Sequence, residues 1–413
     1  MDIFHDNPMF QGVRQMLGAF ARSEVRSIAP IHDRDETMPW ELMKKAQMFG
    51  LTQTALIDAQ KGIPGAGIPK DEGGDEPDNK KPRKNGRMSV VGAEELAWGC
   101  TGLSLALSGS GLAAAPVARM GTAEQIDEFR NALTGLDDEG RVKVAAMALS
   151  EPATGSDISE LSTSAREDGD YFVINGSKQW ITNGKSASTY VVWAQTNPEL
   201  GRAGVRGFIV NRGTPGLIPG KKETKLGIRA SETAQVHFED CRVHKDMMLG
   251  IKADASAAAG LSDTKKMLDS TRPVVAAQAV GIARAAFEFL EERVKSGEPL
   301  YGKPLAAHQH IAFGLAEMEM EIQASRMLVH KAAWMADHRM DNVKFASISK
   351  AHAARTAQWV TTRAMALLGE EALEPGHPVE KWYRDAKIYD IFEGTGQIQR
   401  RIIAKSLLGI NAT

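Results

Sequence analysis

The sequence predicts an α+β protein in three parts: an N-terminal helical domain over residues 1–140, a middle β-barrel domain over 141–250 and a C-terminal four-helix bundle over 251–413. Three observations predict it. A chain of 413 residues exceeds one ordinary core, so two or three subdomains are expected. Apolar residues recur at helical spacing before residue 140, whereas 141–250 changes to short β-rich runs punctuated by turn residues. After Gly250 come four long helical patterns, the number that packs as a bundle.

Taken in order, residues 38–50 and 89–120 carry apolar positions at helical spacing. Thr122-Ala123-Glu124-Gln125 opens another helix, with a hydroxyl at the N-cap and an amide three residues on. Between the first two lies 61–87, dense in Gly, Pro, Asp, Lys and Arg; it reads as an exposed, mobile insertion over about 61–88, because such a composition buries too little to order itself. The strand-like runs are 142–149, 171–174, 179–182, 190–194, 207–210 and 234–238. Asn175-Gly176 reads as a hairpin turn between the second and third of them, and strict alternation then puts Trp180 and Thr182 on one face. The final helices fall at about 263–296, 305–337, 342–368 and 394–408, and no internal repeat is visible.

Composition excludes several classes. A formal charge of −2 argues against a generic nucleic-acid or polyanion binder. Cys100 and Cys241 are the only cysteines, so there is no disulfide framework and no cysteine-rich metal site, and no metal is expected. No apolar stretch reaches the roughly 20 residues of a membrane span. The start Met1-Asp2-Ile3-Phe4-His5-Asp6 lacks the basic and apolar character of a signal peptide, and a cytoplasmic location is the expectation.

Two motifs carry chemistry. Near the end stands Tyr389-Asp390-Ile391-Phe392-Glu393-Gly394-Thr395-Gly396-Gln397-Ile398-Gln399-Arg400, a carboxylate followed at once by glycine, then a helical run. Glycine allows close backbone approach to a ligand, so Glu393 can be aimed into a pocket as a base; a surface turn is the plainer reading. The other is Leu149-Ser150-Glu151-Pro152-Ala153-Thr154-Gly155-Ser156-Asp157, followed by Asn175-Gly176-Ser177-Lys178-Gln179-Trp180-Ile181-Thr182-Asn183-Gly184. Loop N–H groups with the Ser156 hydroxyl suit a phosphate. An indole beside a hydroxyl suits a flat, hydrogen-bonding ring, although a core tryptophan and an ordinary strand threonine would read the same way.

Together these segments resemble the acyl-CoA dehydrogenase family, nearest to its medium-chain type, over most of the chain from about Trp40 to Gly409. Asp269-Ser270-Thr271-Arg272-Pro273, Tyr301-Gly302-Lys303-Pro304-Leu305 with Gln309, and Pro378-Val379-Glu380-Lys381 with Arg384-Asp385-Ala386-Lys387 match it in the same order. The resemblance implies FAD as cofactor and α,β-dehydrogenation of an acyl-CoA thioester. Glu393 would be the base and Arg272 a neighbour that orders it. Trp180 would pack on the flavin and Thr182 would contact its N5 region. Ser150, Gly155, Ser156, Thr395 and Gln397 would be further FAD contacts, and Gln309 would reach the cofactor of a neighbouring subunit. Electron-transfer flavoprotein as acceptor and a homotetramer or homodimer are implied as well. Some branches place the base one residue before the arginine; here that residue is Thr271, which cannot serve.

The resemblance frays on the side of the dimer partner. Glu298 stands where the family carries an arginine, and Glu370 and Ala372 replace two loop glycines. Either Arg293 or Lys295 compensates, or FAD affinity is low. Two other readings stay open: a non-catalytic or half-site subunit of a hetero-oligomer, and a flavin monooxygenase on the same scaffold. Residues 104–115, rich in Gly, Ala and Ser, mark the region of the pocket end; they give room for an acyl group or permit close helix packing.

Overall fold

The computed structural model describes residues 8–48, 50, 51, 53, 85–250, 261–300 and 302–410, with backbone alone at 85 and 261–270. The first part is helical. Helix α1 (Pro8–Phe20) runs through a π turn at Ala21–Val25 towards α2 (Ala29–Arg34) and α3 (Trp40–Met48); α4 (Asn85–Ser108), α5 (Gly111–Met120) and α6 (Ala123–Ala132) follow. The expected capping box is present at α6: Thr122 Oγ1 accepts from Gln125 N and Gln125 Oε1 accepts from Thr122 N.

Most of the charged insertion, 61–84, lies outside the described residues. Its last residues depart from the loop reading, because 85–88 are the first turn of α4. The reason is remote in sequence. The Asp337 carboxylate accepts from Gly86 N at 2.8 Å, Arg87 N at 3.2 Å and Arg87 Nε at 3.0 Å, satisfying donors that a helix start leaves orphaned.

The middle part is one seven-stranded sheet: β1 (Ala145–Ala148), β2 (Ser164–Asp168), β3 (Tyr171–Thr182), β4 (Thr189–Gln195), β5 (Val205–Asn211), β6 (Leu217–Lys222) and β7 (Thr233–His244). Its path is β1-β4-β2-β3-β7-β6, with β5 paired to β4. Strands β2 and β6 carry too much charge, Gly and Pro to be read from their sequence. One face covers Ile174, Tyr190, Phe208 and Phe238; the other packs Trp193, Val191 and Ile209 against Phe129 of α6 and Val117 of α5.

Asn175-Gly176 is not a hairpin turn. Strand β3 passes straight through it, antiparallel to β7, with register shifts between Ile174 and Gly176 and again between Lys178 and Ile181. Gly176 has φ 148°, and a Cβ there would lie 2.5 Å from Thr163 Oγ1 and 2.7 Å from Thr163 Cα. Asn175 exchanges hydrogen bonds with Asp240 of β7. The pair marks an irregularity where another backbone comes close. The second shift also breaks the simple alternation assumed for Trp180 and Thr182: Trp180 has φ 63°.

The last part holds α7 (Leu261–Lys295), a short ribbon of β8 (Pro299–Leu300) and β9 (Lys303–Pro304), then α8 (Gln309–Asp337), α9 (Val343–Leu368), α10 (Pro378–Ala386) and α11 (Gly396–Leu408). Helix α8 starts later than 305 because Leu305–Ala307 form a separate 3₁₀ turn. The reading that no stretch suffices for a membrane span needs correction, since Thr271–Lys295 has the length and apolarity. It is a core helix instead, with Val280, Ile282 and Leu290 buried against residues of α4, α8 and α9. The parts share that core, because Val90, Ala93 and Trp98 of α4 lie in it. Buried ion pairs tie the same helices: Glu94 to Arg284 at 2.8 Å and Arg326 at 2.9 Å, Glu95 to Arg284 at 2.7 Å.

Candidate active site

Glu393 lies between α10 and α11 in a turn with two successive positive φ angles, 55° at Glu393 and 87° at Gly394. Left-handed backbone at a glutamate is costly and persists where its surroundings impose it. They do so here. Lys350 Nζ of α9 donates to Gly394 O at 2.6 Å, and Gln399 Nε2 of α11 donates to the same oxygen at 2.9 Å. A Cβ at Gly394 would sit 2.6 Å from Gln399 Nε2, so the tight clasp needs glycine. Behind the turn, Tyr389 is fully buried and meets Phe392 edge-on at 5.5 Å.

The Glu393 carboxyl meets α7. Thr271 Oγ1 donates to Glu393 Oε2 at 2.9 Å. Desolvation pushes the Glu393 carboxyl above the usual carboxylate range; the Thr271 hydrogen bond and the charges of Arg272 and Lys350 hold it back without cancelling the rise. Arg272 is only 2% exposed, which rules out a surface arginine, and its Nη1 donates to Ser347 Oγ of α9 at 3.4 Å. Thr271, which cannot itself serve as a base, is thus a donor to the Glu393 carboxyl.

The other cluster grows from the sheet. The loop from Ser150 to Thr163 folds around Glu151, whose carboxylate accepts from Ser162 N at 2.7 Å, Ser162 Oγ at 2.6 Å, Thr163 N at 2.9 Å and Lys178 Nζ at 2.8 Å. Lys178, fully buried, also donates to Leu149 O at 3.0 Å, and Gln179 N donates to Ser150 O at 2.9 Å. Those bonds lash the loop with Ser150, Gly155 and Ser156 to the stretch of β3 that carries Trp180 and Thr182. Gly155 and Ser156 are exposed and Ser150 is half-buried. Trp180 is 56% exposed in a strained conformation, not a core tryptophan. Glu151 and Lys178 were absent from the residues singled out by sequence; the signal was a charged pair inside two otherwise polar and aromatic motifs.

The two clusters meet through α4. Tyr389 OH donates to Thr101 Oγ1 of α4 at 3.4 Å, and at the end of α4 a Cβ on Gly109 would lie 3.0 Å from Thr182 Cγ2. Small residues of 104–115 therefore serve close packing at this point: Ala106, Ala113 and Ala114 have no exposed surface. Thr395 is half-buried and caps α11, its Oγ1 accepting from Ile398 N at 3.3 Å, whereas Gln397 and Gln309 are exposed. Among the described residues no side-chain hydrogen bond ties Gln397 or Gln309 to either cluster, whereas Thr395 O accepts from Gln399 N beside the Glu393 turn.

On the frayed side, Arg293 is already engaged. Its Nε and Nη2 donate to Glu371 at 3.1 Å each, and Nη1 pairs with Glu298 Oε2 at 3.4 Å; Lys295 pairs with Glu291 at 2.8 Å. Arg293 is thus committed to Glu371 and Glu298, whereas Lys295 holds only an exposed pair within its own helix. Ala372 is fully buried in the bundle core, inside a 3₁₀ turn at Gly369–Leu373. The site suits a flavin dinucleotide: an exposed indole held in strained backbone, a hydroxyl two residues on, and an open loop of Gly and Ser, with Gly155 meeting nothing that a Cβ would touch. Among the described residues no group of three His, Cys, Asp or Glu is arranged to hold a metal ion.

Family comparisons agree with the three-part architecture. Residues 8–135 match the acyl-CoA dehydrogenase N-terminal domain, 146–241 the middle domain and 258–408 the C-terminal domain. The chain is 35% identical over 400 residues to "Short-chain specific acyl-CoA dehydrogenase, mitochondrial" of Rattus norvegicus, covering 96% of this chain and 90% of that protein. To its Homo sapiens counterpart it is 36% identical over 395 residues, covering 94% and 87%. The motifs were read as nearest to the medium-chain type, whereas these relatives are named short-chain. Butyryl-CoA dehydrogenase from Megasphaera elsdenii superposes with a TM-score of 0.84 at 34% identity, covering 98% of this chain and 99% of that one. A chain from the structure "Electron transferring flavoprotein of Acidaminococcus fermentans" superposes with a TM-score of 0.82 at 31% identity, covering 98% and 99%.

Proposed function

Because this chain belongs to the acyl-CoA dehydrogenase family, whose members are FAD-dependent oxidoreductases acting on acyl-CoA thioesters, we propose that Glu393 is the base that removes the α-proton of a short acyl-CoA. The observation that carries the reading is the Glu393 carboxyl itself, desolvated, raised above the ordinary range and aimed by a left-handed turn. An unperturbed glutamate, with a pKa of about 4.3, is a weak base for a carbon acid; desolvation narrows that gap.

FAD, when bound, supplies the two-electron acceptor for the β-hydrogen. Ser150, Gly155, Ser156, Trp180 and Thr182 are the residues that would hold it, with Thr395, Gln397 and Gln309 on its periphery, Gln309 from a neighbouring copy. The Glu151–Lys178 pair fixes the first group. Arg272 and Thr271 orient Glu393 and favour its ionised form before substrate arrives. Chain length follows the relatives named short-chain and butyryl-CoA dehydrogenase. Electron-transfer flavoprotein is the proposed acceptor, and the assembly is a homotetramer or homodimer.

A flavin monooxygenase on this fold has no use for Glu393 as a base, which counts against that alternative. The half-site reading loses part of its support, because Glu298 has a structural partner in Arg293 and Ala372 has a place in the core; Glu370 is left as its remaining ground.

The test is the absorbance spectrum of the FAD-loaded protein before and after anaerobic addition of acyl-CoA thioesters from butyryl to palmitoyl. The flavin band should bleach fastest with butyryl-CoA. Glu393→Gln should keep flavin and thioester binding while slowing bleaching on the order of 10²–10⁴-fold. Bleaching at an unchanged rate would show that Glu393 is not the base.

A further inference from the structure

We propose that Lys350 is a positioning residue for the Glu393 base: from α9 its buried ammonium clasps the Gly394 carbonyl and holds the turn that aims the carboxylate. The proposal rests on the reading of Glu393 as base. Its first ground is geometric. Lys350 is 1% exposed, yet its long chain ends 2.6 Å from the oxygen of the residue next to Glu393. Gln399 donates to the same oxygen at 2.9 Å and to Glu393 O at 3.3 Å, so two donors from two helices over-determine a conformation the chain would not hold alone.

The second ground is chemical. Burying an ammonium is expensive, and an apolar side chain of similar volume would fill the same space at no such cost. What an apolar residue lacks is a donor and a positive charge. The charged groups facing Lys350 are Asp390 and Glu393 from the turn and Arg272 from α7. Desolvation draws Lys350 down to about 8, against the pull of Asp390 and Glu393, so it is still charged at neutral pH. Glu393 in turn faces the Thr271 hydroxyl, Arg272 and Lys350. Lys350 thus acts on the base in two ways, through the turn and through charge. With Lys350 neutral or absent, Glu393 binds its proton more tightly and its turn loosens.

Four proteins, each loaded with FAD, test this: wild type, Lys350→Met, Lys350→Arg and Glu393→Gln. The protonation of Glu393 is read from its infrared carboxyl stretch, isolated by subtracting the Glu393→Gln spectrum and titrated with pH. Flavin bleaching by butyryl-CoA is followed over the same range, with flavin absorbance and thermal unfolding as checks on the fold. Lys350→Met should move the infrared midpoint and the acid limb of bleaching upward together, by roughly one on the pH scale, and slow bleaching at that limb about tenfold. Lys350→Arg keeps the charge but not the compact donor, so its midpoint should return towards wild type while bleaching stays slow. Should Lys350→Met fail to fold, Lys350→Gln, which keeps a neutral donor, carries the same expectation of a raised midpoint. An unmoved midpoint and profile in a folded variant, with Glu393→Gln inactive, would overturn the clasp alone. Continued bleaching by Glu393→Gln would overturn the base assignment, and the proposal with it.

Discussion

At the scale of single residues, Glu151 and Lys178 show how a buried charge pair organises the loop after β1. Both side chains are essentially inaccessible, and their 2.8 Å contact joins the loop after β1 to the middle of β3. Burial alone would raise Glu151, but Lys178 and the bonds from Ser162 and Thr163 overcome it and draw the carboxyl down to about 2. Burial draws Lys178 down to about 8 against the pull of Glu151, so both are charged at neutral pH. Removing one partner leaves a buried charge uncompensated, at a cost of about 3–5 kcal/mol. Lys178→Met should lower stability by that order in urea unfolding and weaken FAD retention, measured by flavin fluorescence on dilution; undiminished stability would mean that Glu151 takes up a proton or finds water instead. The pH dependence has a definite sign. A depressed carboxylate contributes stability that is fully present above its ordinary value of 4.5 and is lost as pH falls towards 2. Residues of this kind are hard to read in advance. Glu393 was legible through its motif's family resemblance; the glycine that follows it was by itself equally compatible with a surface turn. Its partners Thr271, 122 positions away, and Lys350, 44 positions from Gly394, are brought to it only by helix packing.

At the scale of elements, long amphipathic helices and apolar strands were legible, and the irregular pieces were not. The patterns on α7, α8 and α9 were legible because each of these helices buries a stripe of regular spacing in the core, whereas α11 buries only Gly396 and Gln399. Helix α10 went unread: nine residues beginning at Pro378, it is held by the buried Asp385, which accepts from Ile228 N at 2.5 Å. The same limit explains Asn175-Gly176. Local turn chemistry favours a hairpin, yet Thr163 lies against Gly176 and β7 pairs on both sides of it, so the long-range contacts decide. Hence Gly176→Ala has no room and an unfavourable φ of 148°. It should cost more than about 1 kcal/mol, seen as a lower urea midpoint. A hairpin turn open to solvent would tolerate the change, so an unaltered midpoint would contradict the continuous strand. Trp180, four residues further along β3 and next to its second irregularity, should lose its ordered fluorescence in the same variant.

At the scale of the whole molecule, the question is how many chains make a complete site. Departures from the family at Glu298, Glu370 and Ala372 suggested a half-site subunit, but the first pairs with Arg293 beside Glu371 and the last fills the core. The outer face of α8 points the other way. Phe313, Met320 and Met327 are 60%, 69% and 49% exposed and recur every seven residues, a seam along one side of a 29-residue helix. Gln309, the residue expected to reach a neighbouring copy's cofactor, is the first residue of that helix. A second copy seated on this seam would bring the two together. Light scattering should therefore give a mass that is a multiple of the 44.7 kDa chain, with one FAD per chain. Met320→Asp would place a carboxylate in the seam, where burying it costs on the order of 2 kcal/mol or more and weakens association over tenfold. Flavin should be lost as the assembly dissociates, and to the same extent. A monomer that keeps its full flavin would remove Gln309 from the site, and an assembly holding fewer than one FAD per chain would restore the half-site reading.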